Sequence, residues 1–101
     1  MAEFLNPFSG MAPGRKLTDR ELARAIRLAL AAEEEAVHLY EALADASDNP
    51  LATKVLQDVA DEEKVHAGEF QEVIRILLPN EQQLLRKGAD EVQEMNTDKK
   101  E

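Results

Sequence analysis

The sequence predicts an all-α protein in which two long helices form an antiparallel hairpin and a shorter third helix follows. Charged residues make up 33% of the 101 positions and aromatic residues 4%, with four glycines and four prolines, as is typical of helical chains. Apolar residues recur at alternating steps of three and four along two segments of about 28 residues, which indicates helices that pack along a seam. The short turn between the two segments makes them antiparallel neighbours.

The first helix begins at a capping box. The run Thr-Asp-Arg-Glu at positions 18–21 places a hydroxyl three residues before a carboxylate, so that each side chain can bond the backbone N–H of the other residue. We therefore expect this helix to begin at Thr18 and to run to about Ala46.

The second helix lies between two prolines. Asn49 is a capping residue and Pro50 suits the first helical position, while Pro79 ends the helix after about Leu78. A shorter third helix restarts after Pro79 and is expected to end within 88–95. The predicted organisation is a flexible N-terminal arm (1–17), a helical domain (18–95) and a disordered tail (96–101).

Composition excludes several classes of function. The formal charge of −9 argues against nucleic acid and anionic membranes as partners. The chain has no cysteine, so it has neither a disulfide framework nor a thiolate metal site, which suits a reducing compartment. No apolar run approaches the roughly 20 residues that cross a bilayer, and the start lacks the pattern of a signal peptide. We therefore expect a cytoplasmic protein.

Three polar residues interrupt the two apolar seams. Glu33 does so in the first helix, and Glu63 and His66 do so in the second. A charged group in a seam is costly unless it is paired or bound to a cation. The seams are Ala23, Ile26, Leu30, Glu33, Val37, Tyr40 and Ala44, and Leu56, Val59, Glu63, His66, Phe70, Val73 and Leu77.

These three residues have the composition of half a di-iron carboxylate site. Glu33 lies fifteen residues before a turn near residue 48 and Glu63 fifteen after it, so the two should face each other. In di-iron helical bundles the irons are bound by two sets of ligands. Each set consists of a Glu from one helix and a Glu-x-x-His from another. Oxygen and nitrogen ligands without sulfur suit Fe²⁺. A complete site therefore requires a second chain, and with it a four-helix unit.

The residues around this half site have less specific interpretations. Glu34, Glu35 and Glu62 would ordinarily form a solvated face, or alternatively an acidic path that collects Fe²⁺. Tyr40 is either a core aromatic or a group that hydrogen-bonds a ligand carboxylate or supplies an electron. His38 lies off the seam and is expected at the surface.

Two stretches carry a resemblance to a known family. Glu-Glu-Glu-Ala-Val-His-Leu-Tyr at 33–40, followed by Asp-Glu-Glu-Lys-Val-His-Ala at 61–67, closely resembles the encapsulated ferritins. These are short ferritin-like proteins that are cargo of, or fused to, encapsulin shells. The similarity covers about residues 18–95. It implies a hairpin subunit that dimerises into a ferritin-like four-helix bundle and assembles as a ring of five dimers, a homodecamer.

The resemblance also implies an activity. It implies a ferroxidase centre across the dimer interface, in which Glu33, Glu63 and His66 of each chain bind two irons. Tyr40 matches a tyrosine near that centre. The expected function is oxidation of Fe²⁺ by O₂ or peroxide, for iron storage and detoxification with an encapsulin shell, inside the nanocompartment.

The iron entry path is where the chain departs from the family. Glu35 matches an acidic entry residue, but Ala32 stands where relatives can carry a second glutamate. Glu34 is the candidate substitute, and Glu62 is a further entry candidate. The C-terminus shows no clear shell-targeting peptide, so we expect either a piece of a longer or fused chain or one without its targeting sequence.

Two other functions remain open. One is a di-iron protein of the rubrerythrin type that reduces peroxide, against which the lack of a cysteine-based iron site counts. The other is a structural helical dimer without catalysis, in which the three polar residues hydrogen-bond to fix the register of the helices.

Overall fold

The computed structural model describes the backbone of residues 14–99 and the side chains of residues 14–96. Within that span the chain forms three helices and no strand, which confirms the predicted all-α fold. Most of the predicted arm (1–13) and the last two residues of the predicted tail lie outside the described residues. No helix in this span is both long and apolar enough to cross a bilayer. The helices are α1 (Asp19–Ala46), α2 (Pro50–Leu77) and α3 (Glu81–Lys99).

The predicted capping box opens α1, and an arginine reinforces it. The Thr18 hydroxyl accepts from the Glu21 backbone N–H at 3.2 Å, and the Thr18 N–H donates to the Glu21 carboxylate at 3.0 Å. Arg15 donates from both terminal nitrogens to the two Glu21 oxygens, each at 2.7 Å. The Arg15 bonds, aided by the Thr18 N–H, hold the pKa of Glu21 at about 2.

The turn and the start of α2 are fixed by side-chain hydrogen bonds. Asn49 caps α2 by accepting from the Ala52 N–H at 3.0 Å, and the Ser47 hydroxyl accepts from the Asn49 N–H at 3.1 Å. The helix ends at Leu77, two residues before Pro79, close to the predicted end. This compact turn sends α2 back along α1, which it contacts over much of its length.

The hairpin has no closed core of its own. Among the described residues no large side chain is fully buried. Predicted seam residues such as Leu30, Val37, Val59 and Phe70 are only partly covered. Two antiparallel helices cover one side of each seam and leave the other open. The buried apolar residues are Ala23, Ala32, Ala44, Ala60, Ala67 and Ile74.

The third helix is longer than the sequence predicts and stands away from the hairpin. It has 19 residues and continues to Lys99, so it includes residues 96–99, which the sequence predicts as tail. Residues after Gly88 include no further glycine or proline and are mostly good helix formers, which explains the extension. An ion pair between Arg27 and Glu81 fixes the start of α3. The radius of gyration is 17.7 Å, against about 13 Å for a compact domain of this length.

Candidate metal centre

Glu33 of α1 and Glu63 and His66 of α2 form one cluster at mid-height of the hairpin. One ligand atom from each residue lies within 4.8 Å of the other two. The Nδ1 atom of His66 is 3.7 Å from Oε2 of Glu33 and 3.6 Å from Oε1 of Glu63. Both separations exceed hydrogen-bond distance, so the three side chains surround a space without bonding across it.

Helix geometry accounts for this arrangement. Glu63 and His66 are three residues apart and therefore lie on one face about one turn apart. The turn near residue 48 brings Glu33 to the level of Glu63. The backbone hydrogen bonds of α2 fix the spacing of Glu63 and His66, and the packing of α2 against α1 places Glu33 beside them.

The Oε2 atom of Glu33 marks where a cation would fit. It is buried and, among the described residues, has no hydrogen-bond partner. Leaving a carboxylate oxygen desolvated and unpaired is costly. The Glu63 carboxylate lies nearby, and like charges about 5 Å apart repel by on the order of 3 kcal/mol at an effective dielectric constant of 20. A divalent cation between the two carboxylates would remove both penalties, and the oxygen and nitrogen donors suit iron.

The three ligands are not equally covered. The side chains of Glu33 and Glu63 are 24% and 20% exposed, whereas that of His66 is 49% exposed. The sequence predicts that all three point into a bundle. In the hairpin His66 faces solvent, because α1 covers only one side of α2.

The other predicted site residues lie outside the cluster. Tyr40 is half-buried on α1, two turns beyond Glu33. Glu34, Glu35 and Glu62 are exposed on the flanks of the hairpin, and so is His38. Glu34 also lines a cleft where α3 leaves the hairpin.

Sequence reasoning missed an ion pair beside the cluster. Lys64 Nζ lies 2.7 Å from Oε2 of Glu41 on the opposite helix and 3.6 Å from Oδ1 of Asp61 on its own. The hydrogen bond from Lys64 lowers the pKa of Glu41 below its usual value. The only signal in the sequence was a single lysine among acidic residues, which does not reveal a partner on another helix.

Comparison with known proteins adds the family context of this geometry. Residues 24–100 match the model of the family described as rubrerythrin. The chain is also similar to the crystal structure of the encapsulated ferritin domain from Pyrococcus furiosus, with a TM-score of 0.78 and 39% sequence identity. That match covers 89% of this chain and 91% of the other.

Two curated relatives are also similar to this chain in sequence. The encapsulin nanocompartment cargo protein EncC of Myxococcus xanthus is 51% identical over 76 residues, which is 75% of this chain. The ferritin-like-encapsulin shell fusion protein of Pyrococcus furiosus is 42% identical over 78 residues, or 77% of this chain. The aligned region spans 58% of the first relative and 23% of the second.

Proposed function

The chain belongs to the encapsulated ferritins, within the rubrerythrin family, and on this premise we propose that it is a ferroxidase. Its substrate is Fe²⁺, which it oxidises at a di-iron site formed across a homodimer interface. The product Fe³⁺ is stored or detoxified with an encapsulin shell.

The observation that carries the proposal is the buried, unpartnered Oε2 of Glu33 within a cluster of two carboxylates and one imidazole. A merely structural cluster would be expected to satisfy that oxygen with a hydrogen bond. Two such clusters related by a two-fold axis supply four carboxylates and two imidazoles. This is the ligand set of di-iron carboxylate bundles.

The face that carries His66 supports a second copy as the partner. Val55 lies eleven residues before His66 and Val73 seven after it, which are whole numbers of turns, so all three share one face. Val55 and Val73 are 52% and 39% exposed. On α1, Leu22 lies eleven residues before Glu33 and is also exposed. Apolar residues that frame exposed ligands suit a self-complementary interface.

The chemistry balances with iron as the electron donor. Two Fe²⁺ ions give up one electron each, and O₂ takes both with two protons to become hydrogen peroxide. With peroxide as the acceptor, two electrons and two protons yield two waters. The protein's part is to hold the ions in place: Glu33 and Glu63 offset their charge, and His66 donates a neutral nitrogen. The higher charge of Fe³⁺ strengthens its attraction to the carboxylates.

The remaining predicted residues have supporting parts in this proposal. Glu34, Glu35 and Glu62 are exposed carboxylates that raise the local concentration of Fe²⁺ near the interface. We assign to Tyr40, two turns beyond Glu33 on α1, the role of hydrogen-bonding a ligand or donating an electron. Family membership further suggests a ring of five dimers inside an encapsulin nanocompartment in the cytoplasm.

The family model also supports an alternative, a rubrerythrin-type protein that scavenges peroxide. The two functions share the site and differ in the oxidant and in the fate of iron. Supplying Fe²⁺ in excess separates them, because a ferroxidase turns over many irons per chain whereas a peroxidase is limited by added peroxide.

The test is anaerobic loading with Fe²⁺ followed by air. We expect native mass spectrometry to show two irons per pair of chains and absorbance to show rapid formation of Fe³⁺. Glu63→Ala should abolish both signals. Native protein that binds no iron, stays dimeric when Fe²⁺ is added and oxidises Fe²⁺ no faster than buffer would leave the structural-dimer interpretation.

A further inference from the structure

The ion pair between Lys64 and Glu41 is a feature that the proposed function leaves unexplained. Its 2.7 Å separation makes it the shorter of the two contacts between a basic and an acidic side chain that join α1 and α2 among the described residues. The other is the 3.7 Å contact of His66 with Glu33, inside the metal cluster. The ammonium group of Lys64 is also held from its own helix by Asp61 at 3.6 Å.

The pair lies on the opposite flank of the hairpin from the open ligand face. Successive residues of an α-helix turn by about 100°, so Lys64 points well away from Glu63, its neighbour in sequence. His66, three residues after Glu63, is turned by about 60° the other way. The pair therefore leaves the ligand face free and touches none of the three ligands.

The pair is sensitive to sliding of one helix past the other. Glu41 lies eight residues beyond Glu33 along α1, or about 12 Å closer to the turn. Side chains lean towards the N-terminus of their own helix, so on antiparallel helices Lys64 and Glu41 lean towards each other. In this structure they meet in the register that also sets Glu33 opposite Glu63.

We propose that Lys64 and Glu41 form an interhelical clamp that holds Glu33 and Glu63 at metal-binding distance before metal arrives. This inference rests on the proposed metal site. The two ligand carboxylates repel each other when metal is absent, and a separation of α2 from α1 that relieved this repulsion would also pull Lys64 away from Glu41. Both clamp residues are positioning residues, because neither reaches the ligand atoms.

The clamp and simple electrostatics predict opposite changes in metal affinity when Lys64 is neutralised. Removing a positive charge beside an acidic site strengthens its attraction for a cation. Removing the clamp weakens binding, because the ligand carboxylates are then free to separate. The direction of the change in affinity therefore identifies which effect dominates.

The experiment titrates the full chain with Co²⁺ and monitors the visible absorption of the bound ion. This absorption reports coordination geometry as well as affinity. Lys64→Met and Lys64→Glu are expected to weaken binding about two- to fivefold, the scale of a surface ion pair. The exchange Lys64→Glu with Glu41→Lys restores the pair with unchanged net charge and should recover both affinity and spectrum. Lys54→Met removes the same charge from an exposed lysine of α2 and is the matched control.

The outcomes separate the clamp from the site it serves. Tighter binding by Lys64→Met, unchanged binding by both single variants, or no recovery in the exchange would overturn the clamp and leave the ferroxidase proposal standing. A wild-type Co²⁺ spectrum that Glu63→Ala does not alter would overturn the metal site and the clamp together.

Discussion

Glu33 on α1 and Glu63 on α2 each place a carboxylate oxygen within 3.7 Å of the same atom, Nδ1 of His66. Two consecutive helices thus converge on one point without any hydrogen bond among the three residues. A cluster set in place by the backbone is preorganised, so we expect metal to bind without rearrangement of the hairpin.

Replacing one ligand should abolish oxidation while sparing the fold. Glu63→Gln keeps the size of the side chain and removes its charge, and His66→Ala removes the nitrogen donor. We expect the initial rate of Fe²⁺ oxidation to fall by at least about tenfold, since even outer partners of metal ligands can matter this much. Glu69→Gln, an exposed carboxylate of the same helix, is the control. Equal rates in all three variants would contradict the site.

Metal removal should dissociate the assembly. In the proposed site each chain supplies only half of the ligands, so binding energy is gained only by paired chains. We expect a chelator to shift the native mass towards smaller species, and Fe²⁺ to restore the larger ones. In Glu63→Gln the mass should no longer respond to iron. An assembly that is indifferent to both chelator and iron would show that apolar contacts alone hold it.

The hairpin and the ligand positions were predictable because both follow from local rules. The capping box at Thr18 and the Asn49–Pro50 start depend on neighbouring residues, and the level of Glu33 with Glu63 follows from counting residues to the turn. The predicted end of α3, within 88–95, falls short of the observed end at Lys99, because one glycine costs a helix only about 1 kcal/mol.

The Lys64–Glu41 pair and the exposure of His66 could not be predicted from the sequence, for a different reason. Whether Lys64 pairs with Glu41 depends on how two long side chains lean, and no seam pattern encodes that. The exposure of His66 depends on how much of α2 is covered by α1. Both are properties of the tertiary structure rather than of the periodicity.

Acid should weaken the start of α1 through Glu21. Its folded pKa of about 2 lies below its ordinary value of 4.5, so the charged form favours folding. The stabilisation is fully present above pH 4.5 and is lost as the pH falls towards 2. We expect the melting temperature of wild type, followed by circular dichroism, to fall more over this interval than that of Glu21→Gln. The difference between the two proteins isolates Glu21, because other carboxylates titrate in both.

Gly68→Ala tests whether another chain approaches α2 closely. Within the described structure a Cβ at Gly68 would meet nothing within 4 Å. Alanine should therefore stabilise metal-free protein by about 0.5–1 kcal/mol in urea, through the higher helix propensity of alanine. Gly88→Ala in α3, where there is also open space, is the matched control. If Gly68→Ala alone impairs assembly, a neighbouring subunit packs at that point.

The scarcity of buried side chains in the hairpin has a consequence for how the protein is made. With Ile74 as the largest buried residue described, a single chain hides little apolar surface and has little to oppose the entropy of unfolding. In the proposed dimer, completion of the core is a reaction between two molecules, and its extent depends on how many copies are present. We expect dilution to act as a denaturant. In a cell, chains made in small numbers would remain open to proteolysis, whereas chains made together would protect one another.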